Sequence, residues 1–147
     1  MTTQAARIAD AAIYDNKDFY DTPKEYYSLV LREIHKRSVV KSYSLLDIGC
    51  ANGSFLHHAQ AALPQSFLTG AEPIAELAKI AKENTSAEIL NNGLFELSNE
   101  RQYQKITMLG VLGIFANPTE VLTKIRRITS KKGWVFIFPH LMKRILM

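Results

Sequence analysis

The chain has a single cysteine, Cys50, among 147 residues, and no hydrophobic run long enough to span a membrane. One thiol cannot form an internal disulfide, so the cross-linked framework of small secreted domains is excluded and a reducing compartment is favoured. The longest nearly unbroken apolar stretch, from Ile106 to Ala116, is shorter than the ~20 residues that cross a bilayer. The N-terminus also lacks the basic and then apolar pattern of a signal peptide. We therefore expect a cytoplasmic protein without a membrane partner.

Repeats, low-complexity tracts and linkers rich in glycine, serine or proline are also missing. Hydrophobic residues make up 47% and charged residues 22% of the chain, the balance of an ordinary globular protein. The net charge is only +4, and the basic residues concentrate at expected helix ends, where cations complement the helix dipole. We expect a single domain with a solvated surface; a site for nucleic acid is the alternative that the basic runs leave open.

From Ser44 onward, short apolar runs alternate with helical patterns. Strands are predicted at residues 44–48, 67–70, 87–90, 105–109 and 134–138, and helices at 54–62, 73–83 and 118–128. Strands separated by helices predict crossover connections and a parallel sheet, hence an α/β fold. The runs at 45–46 and 135–138 do not alternate with polar residues, so we expect both strands to be covered on both faces.

The first part of the chain has a helical pattern as well. A helix is predicted around residues 4–14, and a second begins where Thr22 and Pro23 precede Glu25, which is a capping residue, a proline and an acid in the preferred order. Asn117 and Pro118 repeat this arrangement before the last predicted helix. We divide the chain into an N-terminal helical segment over residues 1–43 and a core over residues 44–147.

The most informative segment follows the first strand and reads LLDIGCANGSFL over residues 45–56. Glycines in such a turn let the backbone approach a ligand, and ligands of open parallel sheets bind at the carboxyl ends of the strands. The dinucleotide fingerprint G-x-G-x-x-G, counted from Gly49, meets Ala51 and Ser54 at its other two glycine positions. A pattern D-x-G-x-G-x-G is met by Asp47, Gly49 and Gly53, and only Ala51 departs from it.

This second pattern resembles the first motif of the class I S-adenosylmethionine-dependent methyltransferases. The resemblance continues in order over about residues 44–138: Glu72 and Pro73 end the second strand, residues 91–95 follow the third, and a glycine turn precedes the fifth. It implies a Rossmann-like, doubly wound parallel sheet of about five strands with helices on both faces. Relative to the seven-stranded fold of the family, we expect the chain to be truncated by the last two strands.

The resemblance also implies a binding site for S-adenosyl-L-methionine. In this implied site, Asp47 anchors the glycine loop, Glu72 binds the ribose hydroxyls, and Leu109 and Gly110 lie beneath the reacting centre. The residues implied to bind the cofactor are Asp47, Gly49, Cys50, Ala51, Gly53, Glu72, Pro73, Ile74, Asn92, Leu94, Phe95, Leu109 and Gly110.

In similar enzymes the N-terminal segment folds over the cofactor and the acceptor, so residues 1–43 are interpreted as a cap or lid. Tyr14, Phe19 and Tyr20 are the candidate acceptor-pocket residues. The catalytic residues stay unassigned, because the sulfonium donor is already activated and needs a base only for some acceptors. No metal is predicted, since the histidines have no companion ligands at the required spacing.

Three of these residues also have a purely structural interpretation. Asp47 can be a cap of the following helix, Glu72 a helix-entry residue, and Cys50 a small buried side chain. The sequence also departs from the family at Leu94 and Gln104, where an aspartate is usual.

The predicted function is therefore methyl transfer from S-adenosylmethionine to a small-molecule acceptor. An RNA methyltransferase and a non-catalytic remnant that binds cofactor or a partner are the alternatives, and a nicotinamide-dependent oxidoreductase is the weakest. An open edge on the fifth strand predicts coverage by the chain's own tail or by a second copy in a homodimer.

Overall fold

The computed structural model describes residues 24–138, and the helix predicted around residues 4–14 lies outside them. Helices and strands alternate as predicted. In chain order they are α1 (Lys24–Lys36), β1 (Ser44–Ile48), α2 (Ser54–Ala62), β2 (Phe67–Ala71), α3 (Ala75–Asn84), β3 (Glu88–Leu90), β4 (Tyr103–Leu109), α4 (Pro118–Ile128) and β5 (Thr129–Phe138). Single 3-10 turns at Leu94–Glu96 and Leu112–Ile114 follow β3 and β4.

All five strands are parallel and lie in one sheet in the order β3-β2-β1-β4-β5. The chain builds outward from β1 through β2 to β3, and then returns to the other side of β1 to form β4 and β5. Such a reversal creates a crevice between the carboxyl ends of the two strands where the order changes, here β1 and β4. The predicted Rossmann-like α/β sheet is thereby confirmed.

Two apolar clusters cover the two faces of the sheet. Leu45 joins the cluster that contains α1 and α2, whereas its neighbour Leu46 joins the cluster that contains α4. Successive side chains of a strand point to opposite faces, so adjacent leucines in β1 pack into different layers. The prediction that β1 is covered on both faces is correct, and this burial fixes the register of the loop that follows it.

The same prediction is wrong for β5. Trp134 is 46% exposed and Ile137 is 37% exposed. Within residues 24–138, β5 pairs with β4 and no strand pairs with its other edge. The apolar run therefore describes an edge strand of which Phe136 is the buried member. The strand also starts earlier than predicted, because Thr129 already pairs with Tyr103 of β4 before a register break, and Lys132 lies within that break at φ 65°.

Candidate functional site

The loop between β1 and α2 turns by placing alternate residues in the left-handed region. Gly49, Ala51 and Gly53 have φ values of 71°, 49° and 81°. The N–H groups of Gly49 and Cys50 both donate to the carbonyl oxygen of Ala71, at 2.8 and 3.1 Å, which ties the loop to the end of β2. A Cβ on Gly49 would lie 2.6 Å from Val111 Cγ2. Gly49 is therefore required both by its backbone conformation and by close packing.

Ala51 is the residue that departs from the glycine pattern, yet it adopts the backbone conformation that a glycine would favour. A left-handed φ costs an alanine about 1–2 kcal/mol. Its N–H donates to Glu72 Oε2 at 2.9 Å. This hydrogen bond helps to hold the loop in a conformation that its own residue type disfavours.

Glu72 joins the loop after β1 to the end of β2. The residue is only 2% exposed, and besides Ala51 its carboxylate accepts the N–H of Ile74 at 3.0 Å. Burial raises the pKa of Glu72, and the two backbone donors oppose that rise. An ionised carboxylate has about four acceptor positions, so two remain for another donor.

Asn91 fixes the backbone on which Glu72 is mounted. Its side-chain amide donates to the carbonyl oxygens of Glu72 and Pro73, at 2.9 and 3.1 Å. The N–H of Glu72 in turn donates to the carbonyl oxygen of Leu90 at 3.0 Å. The ends of β2 and β3 are thus locked together beside the glycine loop.

Asp47 is the second buried acid of this region and is 3% exposed. In the register of the sheet it lies between Gly70 on β2 and Thr107 on β4. The hydroxyl of Thr107 donates to Asp47 Oδ1 at 2.7 Å. The alternative interpretation of Asp47 as a helix cap is wrong, since α2 begins at Ser54, its N-cap residue is Gly53, and no side chain caps it.

Burial raises the pKa of Asp47 to about 7, the Thr107 hydrogen bond lowers it, and the nearby charge of Glu72 raises it. Among residues 24–138, no lysine, arginine or histidine forms an ion pair with Asp47 or Glu72. This edge of the sheet thus contains two buried carboxyl groups without a cation to neutralise them.

The other predicted cofactor-binding residues follow β2, β3 and β4 at the same edge. Ile74 and Asn92 are half-buried, and Phe95 is exposed with its ring edge-on to Phe115 at 6.0 Å between centroids. Gly110, at φ 69°, donates its N–H to the carbonyl oxygen of Phe138 at 2.9 Å, which joins the ends of β4 and β5.

Two of the predicted residues have side chains that point into the core. Leu94 is packed in the cluster that contains α4. Cys50 Sγ lies 2.7 Å from where a Cβ on Gly70 would be, and burial raises the pKa of its thiol. The structure supports the reading of Cys50 as a packed side chain rather than a nucleophile, because a buried thiol with a raised pKa yields little thiolate.

Three residues that are not among the predicted cofactor-binding residues also lie at this edge: Asn91, Thr107 and Tyr26. Burial raises the pKa of Tyr26 to about 12, and Tyr27 and the charge of Asp47 add to the rise. The ring of Tyr26 meets that of Phe138 edge-on at 6.0 Å. Thr107 had a signal in the sequence, since it is the polar residue in the buried run from Ile106 to Met108.

The proposed acceptor residues Tyr14, Phe19 and Tyr20 lie outside residues 24–138, and so does His140. In the described part, His57 Nδ1 lies 2.8 Å from the carbonyl oxygen of Asn84, and His58 packs against Tyr27. Within that part, no group of three His, Cys, Asp or Glu side chains is placed to hold a metal ion. None of its helices has the length and apolar composition needed to cross a membrane.

Two grooves lie away from the glycine loop. One, of about 360 Å³, lies at the amino ends of β2 and β3 and includes Phe67, Glu88 and Arg101 in its lining. The other, of about 480 Å³, lies between α1 and β5 and includes Leu29 and Trp134. Neither is lined by a predicted cofactor residue, and the Arg101 guanidinium in the first is already paired with Glu88 at 2.6 Å. The carboxyl edge therefore remains the candidate site.

The strand order, the glycine loop after β1 and the buried acid after β2 together define a Rossmann-like sheet of the kind found in class I S-adenosylmethionine-dependent methyltransferases. A family model described as a methyltransferase domain matches residues 19–141, and the chain belongs to this family.

Solved structures agree with this assignment. The plantazolicin methyltransferase BpumL in complex with SAH (S-adenosylhomocysteine) superposes with a TM-score of 0.71 at 25% identity, over 92% of this chain and 53% of that one. Coclaurine N-methyltransferase bound to N-methylheliamine and SAH has a TM-score of 0.67 at 20% identity, over 84% and 38% of the two chains. The sugar N-methyltransferase KedS8, from a Streptoalloteichus species, has a TM-score of 0.66 at 22% identity, over 77% and 47%.

The chain spans about half the length of the BpumL structures that it matches. The two structures with lower identity show the fold alone. A comparison with curated protein sequences gives no match.

Proposed function

We propose that this chain is the cofactor-binding core of a methyltransferase that uses S-adenosyl-L-methionine to methylate a small molecule. The observation that carries the proposal is the pair of buried carboxyl groups, Asp47 and Glu72, on either side of the glycine loop, with which no cation of residues 24–138 forms an ion pair. A buried charge is costly unless it is paired. S-adenosylmethionine brings an ammonium and a sulfonium group, whereas a dinucleotide brings a pyrophosphate that two acids would repel. The acid pair therefore favours the first ligand over the second.

Each element at the edge has a part in binding. Asp47 would face the ammonium group, and the loop of residues 49–53 would hold the methionine portion through its backbone. Glu72 has two acceptor positions left after its bonds to Ala51 and Ile74, which suits the two hydroxyls of a ribose. The side chain of Leu94 is in the core, so Phe95 and Ile74 remain to flank the adenine.

The bound cofactor would supply a methyl group on a positively charged sulfur, ready for attack by a nucleophile. The chain's own residues then have to orient this group and exclude water rather than activate it. Leu109 and Gly110, where β4 ends, are placed to form the floor of such a site. The hydrogen bond from Gly110 to Phe138 keeps that floor rigid.

A small-molecule acceptor is supported by the mild net charge of +4 and by the similarity to BpumL, which was solved with a desmethylPZN analog. The exposed cations Arg126, Arg127, Lys131 and Lys132, at the end of α4 and the start of β5, favour RNA as a second candidate acceptor. Incubation with methyl-labelled S-adenosylmethionine separates the two. Label in a small-molecule fraction supports the first, and label in RNA with salt-sensitive retention supports the second.

A homodimer in the cytoplasm is the assembly that we propose. It is supported by the exposed Trp134 and Ile137 on the edge strand, since proteins normally cover such edges. Light scattering would show a dimer that Trp134→Glu converts to a monomer. A monomer at every concentration would contradict the proposal.

The cofactor assignment is tested by calorimetric titration with S-adenosylhomocysteine. We expect saturable binding that Glu72→Gln weakens by about 10-fold or more, because a charged hydrogen-bond acceptor contributes about 1.5–3 kcal/mol. Glu83→Gln, at an exposed position of α3, is the matched control and should bind like the wild type. No saturable binding, or equal affinity in Glu72→Gln, would contradict the assignment.

A further inference from the structure

Thr107 is the neighbour of Asp47 across the β1–β4 pair, and both side chains are buried. The two residues are direct partners in the sheet register, and their side-chain oxygens are 2.7 Å apart. Thr107 is 0% exposed. A hydroxyl in a strand interior is costly unless it is hydrogen-bonded, and here it is aimed at one oxygen of the acid.

The titratable groups that face Asp47 are neutral or negatively charged. Tyr26 approaches from α1, Cys50 lies in the loop after β1, and Glu72 lies beyond the end of β2. No arginine, lysine or histidine of residues 24–138 pairs with it. Of these surroundings, the Thr107 hydrogen bond is the contact that favours the ionised form, and burial and Glu72 disfavour it.

We propose that Thr107 is a positioning residue for the methyl donor: its hydroxyl favours the ionised form of Asp47 and orients the carboxylate to receive the donor's ammonium group. This inference rests on the proposed function. A lysine or arginine next to Asp47 would also favour the ionised carboxylate, but its positive charge would repel the donor's ammonium group. A neutral hydroxyl stabilises the carboxylate without competing for it.

Donor binding should therefore depend on pH, and the Thr107 hydrogen bond should determine the pH range in which the donor binds. Burial already raises the pKa of Asp47 to about 7. Without the hydroxyl the pKa rises further, so that at pH 7 most molecules hold a neutral carboxylic acid that attracts an ammonium group only weakly. Binding then requires loss of a proton, and affinity recovers only when the pH exceeds the new pKa.

The test compares Thr107→Val, which removes the donor, with Thr107→Ser, which keeps it. Thr69→Val is the matched control, because Thr69 is a buried strand threonine whose hydroxyl bonds Glu88 instead, at 3.3 Å. The Asp47 carboxyl is titrated by carbon-13 NMR in the ligand-free protein. The dissociation constant of S-adenosylhomocysteine is measured by calorimetry from pH 6 to pH 9.

In Thr107→Val we expect the Asp47 titration midpoint to rise by about one unit or more and the affinity at pH 7 to fall by about 5-fold or more. The affinity should return towards that of the wild type near pH 9, and the serine and control variants should match the wild type throughout. An unchanged midpoint, or a loss of affinity that is equal at every pH, would overturn the inference.

If Thr107→Val does not fold, Thr107→Cys replaces it, since a thiol is a weaker donor and should shift the midpoint in the same direction. A wild type that does not bind S-adenosylhomocysteine would contradict the proposed function. The NMR titration would still decide whether Thr107 controls the ionisation of Asp47, so the two failures are distinguishable.

Discussion

The carboxylate of Glu72 accepts the N–H of Ala51 at 2.9 Å, so an acid after β2 holds the loop after β1. In the proposed function the same carboxylate binds a ribose. Its two roles are compatible because Ala51 and Ile74 each use one acceptor position, on different oxygens, and leave the others for a ligand. The loop and the ribose subsite are thereby built around one side chain, and loss of Glu72 should affect both.

The strain at Ala51 predicts a stabilising substitution. Ala51→Gly removes the cost of a left-handed alanine from the folded state, about 1–2 kcal/mol. The same change stabilises the unfolded chain by about 0.4–1 kcal/mol, because glycine is more flexible. The free energy of unfolding, measured in urea, should rise by about 0.5 kcal/mol. Ala61→Gly, at an exposed position inside α2, should lower it by about 1 kcal/mol. If Ala51→Gly and Ala61→Gly both lowered the free energy of unfolding, the backbone of Ala51 would not be strained.

Close packing at Gly49 predicts that a substitution at this position lowers the free energy of unfolding. Gly49→Ala places a Cβ 2.6 Å from Val111 at a φ of 71°, so we expect a loss of about 2 kcal/mol or more in stability and the loss of cofactor binding. Gly113→Ala is the matched control, since a Cβ there meets nothing within 4 Å. Equal thermal midpoints for the two variants would contradict this prediction, because they would show that the Val111 side chain moves aside at no cost.

The raised pKa of Asp47 predicts that stability depends on pH. The folded protein retains a proton on Asp47 up to about pH 7, whereas the unfolded chain loses it near pH 4. Stability therefore falls as the pH rises through this window and levels off above it. Asp47→Asn lacks this titration.

At pH 8 the Asp47→Asn variant should be more stable than the wild type by on the order of 4 kcal/mol, and near pH 4 the two should be alike. Urea denaturation at both values measures this. A difference that stays constant with pH would mean that Asp47 is not the titrating group.

The sequence indicated this site well where its residues are close in the chain. The run from Asp47 to Gly53 contains the end of a buried strand, the left-handed turn and the start of a helix, and each is a local property of the residue types. Glu72 and Gly110 were implied by the family resemblance, and both follow parallel strands, whose carboxyl ends share one edge of a sheet.

The contacts inside the site were not predictable in the same way. The pairing of Thr107 with Asp47 joins residues 60 positions apart, and it exists because β4 lies next to β1 with this register. The bond from Glu72 to Ala51 spans 21 positions and depends on the exact course of the loop. An open edge on β5 was expected, but the exposure of Trp134 and Ile137 was not, because an apolar run does not reveal how much of each face its neighbours cover.

The central claim, that two buried acids select a nucleoside cofactor with an ammonium group, is tested most directly by titrating the wild type and Asp47→Asn at pH 8 with S-adenosylhomocysteine and with NADH. We predict saturable binding of S-adenosylhomocysteine by the wild type, weaker by about 10-fold or more in Asp47→Asn, and no binding of NADH by either. Binding of NADH, or equal affinity of the two proteins for S-adenosylhomocysteine, would contradict the claim.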